Sequence, residues 1–595
     1  MATTNSRQRL FSLLSFLILI LQSKISSGSE TPIEESTIDD LQIAFKLKTL
    51  TSRQLVQFYL DRIQTLNSHL RGVLEVNPDA LSQADSADEK RRKWESNPSA
   101  RTRALPKLHG IPILLKDNIG TKDKLNTTVG SFALLGSKVP RDAGVVAKLR
   151  SSGAVILGKG SLSEWSYIRS FSAPYGWSAR GGQGVNPYNS SLEVCGSSSG
   201  PAISVSANMV AVALGTETDS SILCPSSYNS VVGFKPTVGL TSRAGVIPVS
   251  PRQDTVGPIC RTVADAVHVL DAIVGIDSND IATHEASQYI PVGGYGQFLK
   301  ANGLQGKRLG IVSRLFHEVK DDCFLNQTFE QHFTTLRKQG AVLVGNLEIA
   351  NIEDILDLSL SGEFVAMLAE FKMALNPYLS ELVESPVRTL RDVIAFNKNN
   401  SVLEKMNEYG QDLLEAAEKT NGIGAQEQEI LSNLARLSRD GFEKLMKDEN
   451  LDALVTYSNS AHSILGIGGF PGIVVPAGYH NVDKYPFGIC FGGLKGSEPK
   501  LIEVAYAFEQ ATKIRKPPPV GSRGQLLSTT ATPTPEVESS IPTIAAATKR
   551  PVLVTQENLK ESACMTAVDM NFSRRILGAV LIRISLIMPL IVHEL

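Results

Sequence analysis

Three stretches of the chain carry residue types that can move protons and make covalent bonds. "GIPILLKDNIG" (110–120) places Lys116 at the end of an apolar run. A lysine there is desolvated, which favours the neutral amine, and a neutral amine can act as a general base. The plain alternative is a lysine that turns outward or pairs with Asp117. "EVCGSSSGPA" (193–202) supplies three consecutive serines and matches G-x-S-x-G around Ser198. A nucleophile elbow of that form needs a hydrophobic strand before it, and "NPYNSSLEV" is a polar turn, so Ser198 is not the expected nucleophile. "MVAVALGTETDSSILCP" (209–225) ends an apolar run at Gly215 and then offers two acids and two serines. Successive N–H groups in such a turn can converge on an anion, which would give Ser221 an oxyanion pocket beside it. Without a base a serine hydroxyl is a poor nucleophile, and the turn would then merely cap the next helix.

None of the nine histidines lies in the serine-bearing stretches; the nearest to any of the three is His109, just before the lysine run. A remote histidine stays open as the base. A lysine, a serine cluster and a serine turn in that order point to a Ser-Ser-Lys relay, a lysine-based variant of triad chemistry.

Strands and helices must bring these stretches together. Short apolar runs at 110–115, 154–158, 209–215, 308–313, 453–457, 472–478 and 487–493 read as strands. "TVADAVHVLDAIVG" (262–275) and the charged stretch at about 402–448 read as helical. "TSRQLVQFYLDRI" opens with Thr51 and Gln54 at capping-box spacing, and Leu55, Val56, Tyr59, Leu60 and Ile63 share a helical face. Strands alternating with helices predict an α/β fold with one large mixed sheet covered by helices on both faces. No internal repeat is visible, and one domain over 33–515 is expected.

The remaining sequence bounds the function. Lys+Arg total 59 and Asp+Glu 60, so no basic field points to nucleic acid as a partner. Six cysteines (195, 224, 260, 323, 490, 564) lie far apart without a CxxC pair, which argues against a metal site; their pairing is not legible. Arg7 and Arg9 precede a 12-residue apolar run, Leu10–Leu21, and small residues near Gly28, the pattern of a secretory signal peptide over 1–28. Five Asn-x-Ser/Thr sequons (Asn126, Asn189, Asn326, Asn399, Asn571) agree with a glycoprotein in the secretory pathway, extracellular or in an endomembrane lumen. Residues 516–550 are rich in Pro, Ser and Thr and read as a disordered linker. Residues 551–595 read as a poorly structured tail, whose apolar end carries Arg583 and Pro589; no stable membrane span is expected.

"GIPILLKDNI" and the segment from "CGSSSGPA" through "GTETDSSILCPSS" to "GPICRTVADAV" strongly resemble the amidase signature family. "GFPGIVVPAGY" and "LIEVAYAFEQAT" are similar to that family's later pieces, so the resemblance spans about 35–515. It implies the amidase signature fold and hydrolysis of a carboxamide to acid and ammonia or amine through an acyl-enzyme. It assigns Ser221 as nucleophile, Ser197 as bridging serine after a cis Gly196–Ser197 bond, and Lys116 as base. The N–H groups of Thr218, Asp219, Ser220 and Ser221 would hold the oxyanion, with no metal and no cofactor. The partner would be a small-molecule or peptide amide, and "GTETD" with "SILCP" is most similar to the peptide amidase branch. Two residues depart from the family pattern: Ser220 replaces a glycine, and Pro201 a small residue. The alternatives are the A-type subunit of a glutamine-dependent tRNA amidotransferase, and a catalytically impaired binding protein on the same scaffold.

Overall fold

In the computed structural model, residues 33–97 and 104–520 are described; the leader, Asn571, Cys564, the tail and all but the first residues of the linker fall outside them. Eleven strands form one sheet: β1 Val73–Val76, β2 Pro112–Lys116, β3 Val155–Gly160, β4 Val212–Glu217, β5 Val232–Lys235, β6 Thr255–Cys260, β7 Arg308–Val312, β8 Val342–Leu347, β9 Ala453–Tyr457, β10 Gly472–Tyr479 and β11 Pro486–Gly492. Their order is β1-β3-β2-β4-β6-β5-β10-β11-β9-β7-β8. The neighbours β3, β2 and β4 run parallel, as do β9, β7 and β8, while β4-β6-β5-β10-β11-β9 pair antiparallel. All seven apolar runs lie in this mixed sheet.

Both faces are covered, and the strand period shows how. Ala453, Val455 and Tyr457, with Ile473, Val475, Ile489 and Phe491, point into one core cluster. Leu454, Val474 and Cys490, the alternate residues, point into another. Side chains alternate across a strand, so two apolar sets mean two buried faces. The first cluster is shared with helices α1 (Ser52–Leu70), α2 (Val263–Ile273) and α3 (Glu498–Thr512). Helix α1 begins as its capping box requires: Gln54 N–H donates to Thr51 Oγ1 at 3.1 Å, and Thr51 N–H to Gln54 Oε1 at 2.9 Å. A third cluster packs the helices at Glu363–Glu381 and Leu390–Asn399 against Leu162, Trp165 and Ile247.

The strand carrying the serine turn is displaced from its apolar run. It covers Val212–Glu217, three residues later than 209–215 at its start. Asn208 adopts φ 55°, and Met209 N–H donates to Ser204 O at 2.8 Å, so the preceding helix, Ser199–Ser206, ends in a buried apolar turn. At the other end Thr216 and Glu217 pair with Val256 and Thr255, and the sharp turn begins only at Thr218. Because β2 and β4 run parallel with Leu115 opposite Leu214, Lys116 falls beside Gly215, one residue before Thr216.

Candidate active site

Lys116 is fully buried. Its Nζ lies 2.7 Å from Ser197 Oγ, 3.1 Å from Thr216 O and 2.8 Å from Thr216 Oγ1. Burial pushes its pKa down to about 7, against the pull of the Asp254 and Glu217 carboxylates. It does not pair with Asp117, whose Oδ2 instead accepts from Thr128 Oγ1 at 2.5 Å and from Gly130 N–H at 3.1 Å.

The serine cluster sorts itself by contacts. The Gly196–Ser197 peptide bond is cis, and Ser197 is buried with its hydroxyl against the lysine. A Cβ on Gly196 would come within 2.2 Å of Ser163 Oγ and would force that side chain to shift. Ser198 Oγ donates to Thr216 O at 3.0 Å and accepts from Thr216 N–H at 3.2 Å, a purely architectural clasp on β4. Pro201 is the third residue of the helix Ser199–Ser206, where an N–H has no intrahelical partner, and the helix tolerates it. Ser198 N–H also donates to Ser221 O at 3.1 Å, which brings the serine cluster and the serine turn together. Ser221 is 8% exposed, and its Oγ makes a long 3.4 Å bond to Asp219 O. A disulfide between the buried Cys195 and Cys224 joins the same two segments.

Three side chains of the turn are tied to other parts of the chain. Thr218 Oγ1 donates to Asp254 Oδ1 at 2.5 Å, Asp219 Oδ1 faces His462 Nδ1 at 2.7 Å, and Asn459 Nδ2 donates to Ser220 Oγ at 2.7 Å. Glu217 Oε2 closes the loop by accepting from Ile222 N–H at 2.6 Å and Leu223 N–H at 2.9 Å. These anchors leave the backbone amides of 218–221 as the groups with no side-chain competitor. Ser220 has φ 68°.

His462, Asn459 and Asp254 carry no local sequence signal for this site. The histidine is 243 residues from Asp219 in the chain. Burial would lower the His462 pKa, but the Asp219 carboxylate overrides this and holds it at about 9. A histidine protonated at neutral pH is not a general base, which removes His462 from the candidates.

A cavity of about 260 Å³ borders Asn118, Thr216 and Thr218, and neither Ser197 nor Ser221 lines it. A row of aromatic rings begins beside Gly196. Tyr175 Cδ1 would lie 3.2 Å from a Cβ on Gly196, Tyr167 and Tyr175 stack at 4.2 Å, and Phe171 stacks on Phe364 at 5.4 Å. Phe171 and Tyr175 are each 37% exposed. Among the described residues no cluster of His, Cys, Asp and Glu could hold a metal ion, and no helix is long and apolar enough to cross a membrane.

The family model for amidases matches residues 54–464. The chain is 59% identical over 496 residues to a probable amidase of Arabidopsis thaliana, spanning 83% of this chain and 94% of that one. It is 41% identical to the native peptide amidase from Stenotrophomonas maltophilia, with a TM-score of 0.75 over 82% of this chain and all of that one. At 30% identity it matches a glutamyl-tRNA(Gln) amidotransferase component of Microcystis aeruginosa, over 79% of this chain and 96% of that one.

Proposed function

The chain belongs to the amidase family, hydrolases of amide bonds, and from that premise we propose that Lys116, Ser197 and Ser221 form its acyl-transfer triad. The environment of Lys116 is the observation that carries this. A neutral amine has two N–H bonds and one lone pair. Thr216 O can only accept, and Thr216 Oγ1 accepts from Asn118 Nδ2 at 2.9 Å as well as from the lysine. We assign the two N–H bonds to Thr216 O and Thr216 Oγ1, which leaves the lone pair facing Ser197 Oγ at 2.7 Å. With the pKa at about 7, that neutral form is present in quantity at neutral pH.

Substrate entry exchanges the long bond of Ser221 to the Asp219 carbonyl for one to Ser197. Lys116 takes the Ser197 proton, Ser197 takes the Ser221 proton, and Ser221 Oγ attacks the amide carbonyl. The N–H groups of Thr218, Asp219, Ser220 and Ser221 receive the oxyanion, where loss of one donor costs ~3–4 kcal/mol. The proton returns through Ser197 to the leaving nitrogen, and water then repeats the sequence to release the acid. The 41% identity to a peptide amidase favours a peptide or small-molecule carboxamide, with the aromatic row beside Gly196 contacting its acyl portion.

The purified protein is expected to release ammonia or amine from small carboxamides and amidated peptides. Ser221→Ala and Lys116→Ala should each abolish this with the circular dichroism spectrum preserved. Full turnover by Ser221→Ala would overturn the assignment.

We place the protein in the secretory pathway. The leader-like residues 1–28 and the Cys195–Cys224 disulfide both suit an oxidising compartment, which also disfavours a role within a tRNA amidotransferase. Of the sequons, Asn326 and Asn399 are exposed, Asn189 is half-buried, and Asn126 Nδ2 is tied to both oxygens of Glu75 at 3.1 Å. Glycans accordingly belong on Asn326 and Asn399.

A further inference from the structure

Ser220 is the turn residue whose backbone a side chain favours least. At φ 68° it occupies the left-handed region, where Cβ crowds the backbone and glycine is at home. It also sits amid the amides assigned to the oxyanion. A relaxation of Ser220 toward negative φ would swing the peptide planes on either side, and with them the N–H groups of Ser220 and Ser221.

One side chain opposes that relaxation. Asn459 Nδ2 donates to Ser220 Oγ at 2.7 Å. Asn459 is half-buried, two residues beyond β9, and braced on several sides. Its carbonyl accepts from His462 N–H at 2.9 Å, and its Oδ1 lies 3.1 Å from Ser458 Oγ. Ser458 Oγ lies 2.8 Å from Ser227 Oγ, which in turn accepts from Gly488 N–H of β11 at 2.8 Å. The amide that grips Ser220 is thus fixed to the end of the sheet.

We propose that Asn459 is a positioning residue that holds Ser220 in the conformation a glycine would adopt unaided, keeping the turn's amides aimed at the developing oxyanion. The Ser220 hydroxyl is then the handle that makes a non-glycine residue workable at this position. The inference rests on the amidase assignment above and concerns the geometry of the same site.

Steady-state hydrolysis of an amidated peptide by S220A, S220G, N459A, N459A/S220G and S221A tests it. S220A keeps Cβ and loses the handle, so its kcat should fall roughly tenfold below that of S220G with KM nearly unchanged, a smaller loss than the ~10²–10³ for a deleted donor. N459A should lower kcat by a similar factor when Ser220 is present. Made in S220G, the same substitution should change kcat less than about twofold. Equal kcat for S220A and S220G would overturn the proposal even if N459A failed to fold. Equal losses from N459A with and without S220G would overturn it too, because Asn459 would then merely support its own loop. Full activity of S221A would instead refute the triad, so the two failures are distinguishable.

Discussion

Replacing Lys116 with Met removes the charge while keeping most of the length of a side chain that has no exposed surface. In the unfolded chain the amine titrates near the ordinary 10.5, whereas in the folded protein burial lowers it to about 7. Above 10.5 the amine is neutral in both states and its burial has no electrostatic cost. Between the two values the folded protein holds fewer protons than the unfolded chain, so stability rises with pH by ~1.4 kcal/mol per pH unit. Below about 7 the cost is complete, on the order of 5 kcal/mol. Lys116→Met escapes that cost. It also strands the Ser197 hydroxyl, at ~1–3 kcal/mol, whereas Thr216 O keeps Ser198 Oγ and Thr216 Oγ1 keeps Asn118 Nδ2. The variant should therefore be inactive yet a few kcal/mol more stable than the parent near pH 7, and slightly less stable at the alkaline end. Urea unfolding of both proteins over this range gives the difference directly, with titrations common to both cancelling. A difference that does not vary with pH would refute the claim that a depressed lysine sits in this core.

The same depressed lysine sets the pH dependence of catalysis: kcat/KM should fall on the acid side with a midpoint at about 7, as Lys116 becomes protonated. A limb that vanished in His462→Gln would reassign it to the histidine. The Cys195–Cys224 disulfide closes a loop of 29 residues, and removing it with paired serine substitutions should cost ~3 kcal/mol and lower kcat, since it ties together the Ser197 and Ser221 segments. Thermal unfolding and turnover check this, and an unchanged Tm would contradict it. Mass spectrometry of peptides from protein expressed through a eukaryotic secretory pathway should find glycans at Asn326 and Asn399 and none at Asn126; an occupied Asn126 would show that its bonds to Glu75 do not persist.

The strands found from sequence were those whose apolar residues run unbroken, because complete burial of a central strand leaves that trace. Four strands leave a weaker one. β6, "TVGPIC", contains Gly257 and Pro258, which argue against a strand; its pairing with β5 is confined to Cys260 and Ile259, which leaves room for the proline. β8 is an edge strand with Val342 48% exposed, β1 is an edge strand of four residues, and β5 has four residues ending in a buried lysine. For the site, Lys116 and the two serine segments were legible because strand ends and tight turns have local composition. Asn459, His462 and Asp254 were not, because each acts on the turn from a distant part of the chain, and only the sheet order brings them there. Ser220 reads from sequence as a defect; its conformation is maintained by a side chain 239 residues away.

The central claim is that a buried neutral amine, acting through one hydroxyl, makes a second hydroxyl nucleophilic. A fluorophosphonate probe reacts with such an activated serine, and digestion with mass spectrometry locates the adduct. Labelling is expected on Ser221 alone, and it should disappear in Lys116→Met while that variant remains folded. An adduct on Ser197, on Ser198 or elsewhere, or undiminished labelling of Ser221 without the lysine, would contradict it.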